Sequence, residues 1–457
     1  MRIAARAALF CMVAFNAAAA AEPVAWRNPA HSATLASISK TETSARPVAA
    51  CKQEVLPSTS EPSRTVEHTG FDLAGLQALA AQNNPSLRET LAQMDAARGR
   101  WVQAGLYPNP VVGYSGQQLG SNQTEQNGVL VGQEFITAKK LRFNQGAAAQ
   151  EIQRAHQQYH AQHNRVLTDT AVAYYESLTA QQRVALGRRL VAISDDLANT
   201  VDRLVKANEV SRVELLQAKI EASNARLQLT NAENRLTASW RSLATVVGVP
   251  TLQPQPLADA WNEVPRDLAW ESSLERLQAQ SPEVGSAIAE AERARWQYQR
   301  ALRQAVPDVT VQGVVQYDKD TEGMNGNLQV TLPIPLFNRN QGGVREASAN
   351  IVVAEQAIHR TQLQLQQRLA SVFERYASAL QQVERYTNEI VPASQEQLDL
   401  VSQAFRAGEV NYLSLLIAQR TYFQALLSSL DAQRDLAVAA SEIQGFLLTD
   451  SLAETAR

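Results

Sequence analysis

The sequence predicts a mainly α protein of long, coiled-coil helical hairpins with a small β contribution from four antiparallel strands, and three observations lead there. Two stretches 200 positions apart share six of twelve residues, Ala207-Asn-Glu-Val-Ser-Arg-Val-Glu-Leu-Leu-Gln-Ala218 and Ala407-Gly-Glu-Val-Asn-Tyr-Leu-Ser-Leu-Leu-Ile-Ala418. Only 20 Gly and 17 Pro occur in 457 residues, mostly gathered in a few places, so the elements between them must be long. Two pairs of runs alternate apolar and polar residues with period two, the pattern of strands.

The echo extends upstream. Pro85 and Pro110 bracket a helix-like segment that ends in an alternating run, and Pro282 and Pro307 bracket another with the same separation. Self-similarity at so long a period means two copies of one large unit rather than a solenoid. The copies are read as residues 71–250 and 266–447, joined by a linker over 251–265 and followed by a tail, 448–457.

The first 21 residues read as an export signal: Arg2 and Arg6, an apolar run from Ala7 to Phe15, and small residues up to Ala21. The apolar run is too short to span a bilayer, which needs about 20 residues. Residues 22–70 are rich in Pro, Ser, Thr and Ala without periodicity, the composition of a flexible tether. Cys51 follows Val48-Ala-Ala, a lipid-attachment-like context, but no apolar signal core precedes it, which argues against lipidation. Cleavage would leave one cysteine and no intrachain disulfide. Net charge is −3 with acids and bases interspersed, so nucleic acid is excluded as a partner.

After Pro307, Val309, Val311, Gly313, Val315 and Tyr317 alternate with Thr310, Gln312, Val314 and Gln316. Leu328, Val330, Leu332 and Ile334 alternate with Asn327, Gln329 and Thr331 across a polar Asp318 to Asn325 loop. The first copy repeats the design, and the four strands are placed at about 110–116, 128–136, 308–317 and 326–334. Each is near the length that a tilted strand needs to cross an outer membrane, and apolar-out with polar-in is what such barrels require; a half-buried soluble sheet shares the alternation. In a membrane, strand edges cannot stay unpaired, yet four strands cannot close. Other copies must then supply the rest: two would give eight strands around filled side chains, three would give twelve and room for a lumen. Tyr114, Phe135, Tyr317 and Phe337 near the strand ends suit an interfacial girdle, or ordinary packing.

Between about Arg142 and Lys206, and between about Gly343 and Arg406, apolar residues recur three and four apart in a narrow stripe among Gln, Arg and Ala, as in coiled coils. Each helix would be on the order of 95 Å long. At the repeated motifs Asn208 or Gly408 can take the left-handed conformation that ends a helix, and Ser211 or Asn411 can cap the next, making tight hairpin tips. The returning helices, to about Gly248 and Gly445, cover about 55 Å. The segments Pro85 to Leu106 and Pro282 to Ala305 add about 33 Å each and would complete the return. Val249 to Pro265, with four prolines, would form an irregular belt at mid-height.

These features resemble the TolC-like outer-membrane factors, the exit ducts of tripartite efflux pumps and type I secretion systems. The resemblance covers roughly Phe71 to Phe446. It rests on the duplicated tip, the strand pairs set between helices, and the turn Leu332-Pro-Ile-Pro-Leu-Phe-Asn-Arg-Asn-Gln-Gly342 with its counterpart Thr137-Ala-Lys-Lys-Leu-Arg142. That turn is most similar to the heavy-metal cation branch of cobalt-zinc-cadmium type. The resemblance implies a homotrimer in the outer membrane, with a twelve-stranded barrel continuing into a periplasmic helical tunnel. It also implies a periplasmic adaptor and an inner-membrane pump of the RND type as partners. The adaptor-contact candidates are Ala207, Asn208, Glu209, Val210 and Ser211, and Ala407, Gly408, Glu409, Val410 and Asn411. Some members narrow the closed pore with acids just past the second tip; here Ser414 and Ile417 stand there, and Glu214 is the acid at the matching place in the first copy. These three are the gate candidates.

His156, His160 and His163 fall at i, i+4 and i+7 and could share a face and hold a cation. No carboxylate or cysteine joins them in sequence and the second copy has no counterpart, so a solvated face is the favoured reading and no metal is assigned. No phosphate loop, zinc-protease motif or nucleophile elbow occurs, so neither enzymatic activity nor a cofactor is expected. Two functions remain: a passive exit duct for heavy-metal cations that opens when an adaptor docks at its tips, and a secreted or periplasmic coiled-coil scaffold without channel activity.

Overall fold

The computed structural model describes residues 71–120 and 124–453. The export signal, the 22–70 tether and Cys51 lie outside the described residues. The first copy contains α1 (Leu73–Asn83), α2 (Pro85–Ala104), β1 (Val111–Gln117), β2 (Gln126–Phe135), α3 (Lys140–Lys206) and α4 (Arg212–Val247). The second repeats the order as α5 (Trp270–Gln280), α6 (Pro282–Arg303), β3 (Val309–Asp318), β4 (Gly323–Thr331), α7 (Gln341–Arg385), α8 (Val391–Arg406) and α9 (Tyr412–Gln444).

At about 1.5 Å per residue the 67-residue α3 is about 100 Å long. Along it α4 and α2 lie end to end. Their junction is built by Asn84, which caps α2 by accepting from Ser86 N at 3.0 Å and donates Nδ2 to Val246 O at 2.9 Å, near the end of α4. Pro85 follows as the first residue of α2, where its missing N–H leaves no bond unmade. Gly248 closes α4 at φ 81°, and a Cβ there would stand 2.8 Å from Asn83 O, so both its conformation and the close approach require glycine.

The second copy departs from the expected unbroken helix over 343–406. Residues Tyr386–Ile390 form a π-turn between α7 and α8, in which Val391 N donates to Tyr386 O. Pro392 is the cause: it lacks an N–H, and its ring would collide with the carbonyl four residues back in a regular α-helix, whereas one wider turn makes room. The short helices α1 and α5 were also not expected. Each is an 11-residue segment just ahead of its copy's helix-starting proline.

The main core lies at mid-height. Tyr174 and Tyr376, fully buried on α3 and α7, both bind the belt backbone: Tyr174 Oη donates to Ala258 O at 2.6 Å, and Tyr376 Oη donates to Pro265 O and accepts from Leu268 N, each at 3.2 Å. Gln181 grips Leu257 with both ends of its amide, and Trp240 Nε1 donates to Leu252 O at 3.0 Å. Burial pushes the Tyr175 phenol up to about 12, with Glu263 adding to the effect. The belt also accepts the start of the described chain, since Phe71 bridges Leu257 in parallel. Around these contacts pack Leu76, Leu178, Leu243, Leu277, Leu365, Leu369 and Ile443. Each such burial contributes about 1.5–3 kcal/mol, which offsets the conformational entropy of so irregular a segment.

The strands form one antiparallel sheet in the order β1-β2-β3-β4. Register places Val112, Tyr114, Val129, Val131, Val311, Val315, Tyr317, Met324, Leu328 and Val330 on one face. Gln126, Gln312, Gln316, Asp318, Asn325, Asn327, Gln329 and Thr331 fall on the other, although Val111, Leu130 and Val314 also lie there and Asn127 and Gln133 lie on the first face. β4 begins at Gly323 and ends at Thr331, three residues ahead of the span that its alternation suggests. Pro333 and Pro335 cannot donate to a ladder, so the alternation continues through Leu332 and Ile334 without pairing.

Candidate functional site: helical tips and sheet edges

Both tips share one backbone solution. After α3, Asn208 N donates to Val205 O at 3.0 Å and Glu209 N to Leu204 O at 2.9 Å; after α8, Gly408 N donates to Phe405 O at 3.1 Å and Glu409 N to Ala404 O at 2.9 Å. This is the Schellman closure, with Asn208 at φ 60° and Gly408 at φ 76°. Ser211 Oγ then accepts from Glu214 N at 3.4 Å, and Asn411 Oδ1 accepts from Ser414 N and Oγ, both at 3.0 Å. In each tip the first three residues and the cap, Ala207, Asn208, Glu209 and Ser211 or Ala407, Gly408, Glu409 and Asn411, are exposed, while Val210 and Val410 turn partly inward.

Among the gate candidates, Glu214 and Ser414 occupy the same position in the first turn of their helices. Ser414 is committed to its cap, whereas Glu214 lies partly exposed where a negative charge suits the helix dipole. Ile417 is exposed, one turn further along α9. Sequence reasoning missed what joins the two tips. Tyr412 and Leu416 of α9 pack with Val201 of α3 and Ala218 of α4. Arg420 grips both carboxylate oxygens of Glu221, with Nε 3.2 Å from Oε1. The Tyr412 hydroxyl has no hydrogen-bond partner among the described residues, and burial raises its pKa, with Glu221 adding and Arg420 opposing. Glu221 and Arg420 sit at nearly matching places in the two copies, and aligning the copies was the signal that could have paired them.

The His156 and His160 rings meet edge to face at 4.4 Å, but Tyr159 lies beside both His160 and His163. Burial lowers the His160 pKa, and the charges of His156 and His163 lower it further. Among the described residues no group of three or more His, Cys, Asp or Glu side chains is arranged to hold a metal ion.

At the far end from the tips, β1 and β4 each pair on one side only among the described residues. Helix order continues these edges, with α2 and α4 along one flank and α7 with α8 along the other. Each flank carries exposed apolar side chains: Val213, Leu216, Ile220 and Leu227 on α4, and Val353, Leu363 and Leu400 on α7 and α8. The sheet meets the helices at a sequence-distant clamp. Thr137 N donates to Asp308 Oδ1 at 2.8 Å, and Lys140 Nζ to Asp308 Oδ2 at 2.9 Å and Val306 O at 2.7 Å. The matching residues Lys139 and Asn340, which start α3 and α7, are both left-handed at φ 60°.

Comparison with known proteins agrees with this construction. The chain is 25% identical to the cobalt-zinc-cadmium resistance protein CzcC of Cupriavidus metallidurans over 374 residues, 81% of this chain and 88% of that protein. It is 23% identical to the toluene efflux pump outer membrane protein TtgF of Pseudomonas putida, across 77% of each. The crystal structure of CusC superposes with a TM-score of 0.69 at 17% identity, covering 84% of this chain and 94% of that one. The outer membrane efflux protein model matches twice, at residues 76–249 and 273–447, once in each copy. A duplicated helical hairpin with a sheet apolar on one face is thus an outer-membrane efflux channel rather than an enzyme, and the chain belongs to the outer membrane efflux protein family.

Proposed function

We propose that three copies of this chain close into a duct that carries heavy-metal cations from the periplasm to the exterior, opened at its tips by a periplasmic adaptor coupled to an inner-membrane RND pump. The observation that carries the reading is the sheet whose two edges lack a partner among the described residues, flanked below by two apolar helix edges. A β4 edge can pair with the β1 edge of the next copy, which sets α7 and α8 of one copy against α2 and α4 of its neighbour. Such a head-to-tail contact repeats until it closes, and closure is required because lipid satisfies no free backbone group. Three copies rather than two are favoured because twelve strands leave a lumen, while eight are filled by side chains.

Metal cargo is supported by the relative that confers cobalt, zinc and cadmium resistance, which this chain matches over most of both lengths. The exposed tips, Ala207 to Ser211 and Ala407 to Asn411, offer six related hairpin ends per trimer to an adaptor. Deleting the gene and scoring growth on zinc, cobalt, cadmium and copper beside dyes and solvents tests the cargo. Sensitivity restricted to the metals is expected, and sensitivity to solvents alone would overturn the metal reading. Cross-linking of outer membranes tests the assembly: a trimer is expected, and a dimer would sink it.

A further inference from the structure

At the loop ends of the two strand hairpins lies a polar lattice that transport as described so far leaves unused. Register sets Gln126 opposite Asp318 and Asp318 opposite Gly323; one step along the same face, Gly128 stands opposite Gln316 and Gln316 opposite Asn325. The Asp318 carboxylate, on a residue only 6% exposed, accepts from Gln126 Nε2 at 3.2 Å, Asn325 Nδ2 at 3.1 Å and the Asp320 backbone N at 2.9 Å. With its nitrogen committed to a carboxylate, Gln126 turns its oxygen to Gln316, whose Nε2 donates to it at 2.7 Å. Flipping either amide would set oxygen against oxygen, so Asp318 fixes both orientations. The relay ends at Gln316 Oε1, buried on a residue 3% exposed and without a hydrogen-bond partner among the described residues.

A carboxylate and two amide oxygens that keep free lone pairs, one of them without a donor among the described residues, are the ligands that a hard cation takes. The surrounding charge favours the same occupant. Glu125, Asp318, Asp320 and Glu322 share these loop ends with one base, Lys319, which is bound to Glu125 at 2.9 Å. Because this is the polar face of the sheet, the lattice lies on the inner side of a closed barrel.

Resting on the duct reading above, we propose that Asp318, Gln126 Oε1 and Gln316 Oε1 hold a hard cation of the calcium or sodium class at the outer end of the barrel and make the exit prefer cations. The site is distinct from the histidine cluster in donor chemistry, and soft metal cargo would pass it without being retained.

The test uses the assembled full-length protein purified from outer membranes, as wild type and as Asp318→Asn, Gln316→Leu and Asp320→Asn. Gln316→Leu leaves the carboxylate in place, and Asp320→Asn removes a nearby charge without losing the backbone bond to Asp318. Millimolar CaCl2 is expected to raise the thermal dissociation midpoint of the wild type and Asp320→Asn, and to leave the other two unmoved. In planar bilayers under a KCl gradient, the cation-to-anion permeability ratio should fall about threefold or more in Asp318→Asn and less in Asp320→Asn. Equal calcium shifts in all four proteins, or none in the wild type, would overturn the site and leave water as the partner of Gln316. Protein that binds calcium at this site yet never conducts would instead sink the duct reading.

Discussion

Lys140 Nζ lies 2.9 Å from Asp308 Oδ2, a contact across 168 residues that ties the start of α3 in one copy to the residue just ahead of β3 in the other, where the sheet meets the helices. The Lys140 side chain is only 6% exposed. Truncating one partner therefore leaves a charge largely out of water, which typically costs about 3–5 kcal/mol. Asp308→Asn is expected to lower the thermal dissociation midpoint of the assembly more than Lys140→Met, because it leaves the nearly buried Lys140 cation only Val306 O, whereas Asp308 is more exposed and keeps its bonds from Thr137. The double variant should lose less than the two single losses combined. Strict additivity, measured by the same melting experiment, would show that the pair does not act as a clamp.

Gly128 gives a second test, on the sheet. A Cβ there would stand 2.4 Å from Val315 O and 2.5 Å from Gln316 Cβ, whereas a Cβ at Gly326 would meet nothing within 4 Å. Gly128→Val should abolish recovery of assembled protein from outer membranes, and Gly326→Ala should leave it intact. Equal recovery of both variants would mean that the strands do not approach as described.

These two positions also show what the sequence could and could not display. The alternation that revealed β3 and β4 is legible because an apolar face and a polar face impose period two on side chains. The loop ends are not, because Gln126, Asp318 and Asn325 read as a polar loop until pairing makes them neighbours on one face. Helical periodicity likewise showed the length of α3, yet it ran on through Pro392 in the second copy, since a π-turn keeps the chain helical while absorbing the proline. The tip closures were readable from Asn208 and Gly408 because left-handed backbone narrows the choice of residue. The Glu221–Arg420 contact was not, since it depends on how the two hairpins lie side by side.

At the tips, the two copies make a matched comparison. Gly408→Val places a β-branched residue at φ 76°, a conformation costing about 1–2 kcal/mol even for unbranched side chains. Asn208→Gly relieves rather than adds strain at φ 60°. Gly408→Val is expected to lose adaptor cross-linking and efflux-dependent resistance while still assembling in the membrane, and Asn208→Gly to keep all three. Wild-type adaptor capture by Gly408→Val would remove the second tip from the contact surface.

His160 supplies a pH prediction. Its folded pKa lies below the ordinary value near 6.5, because burial and then the charges of His156 and His163 disfavour its imidazolium. The unfolded chain therefore binds more protons in this window. The contribution of His160 to stability is complete above about 6.5 and is lost as pH falls through the folded pKa. Melting midpoints followed from neutral to mildly acidic pH should drop less steeply for His160→Gln than for wild type, and parallel curves would assign the acid sensitivity elsewhere.

The Glu221–Arg420 pair gives the last test, of what holds the two hairpins together near their tips. Arg420 is largely exposed while Glu221 is mostly covered, so the pair contributes only about 0.2–1 kcal/mol per chain to stability. A contact that weak does little to hold the fold, but it is well matched to holding two hairpins together until a partner displaces it: one unit of 1.4 kcal/mol changes an opening equilibrium tenfold, and a symmetric assembly carries one such pair in every copy. Glu221→Gln or Arg420→Gln should therefore leave the melting midpoint nearly unchanged while increasing entry of a large hydrophilic antibiotic that the outer membrane normally excludes. The exchange Glu221→Arg with Arg420→Glu should restore exclusion, because it rebuilds the attraction with its sign reversed. If both single variants exclude the antibiotic as well as the wild type does, the pair is a surface contact and closure must reside in the packing of Tyr412 and Leu416 against Val201 and Ala218.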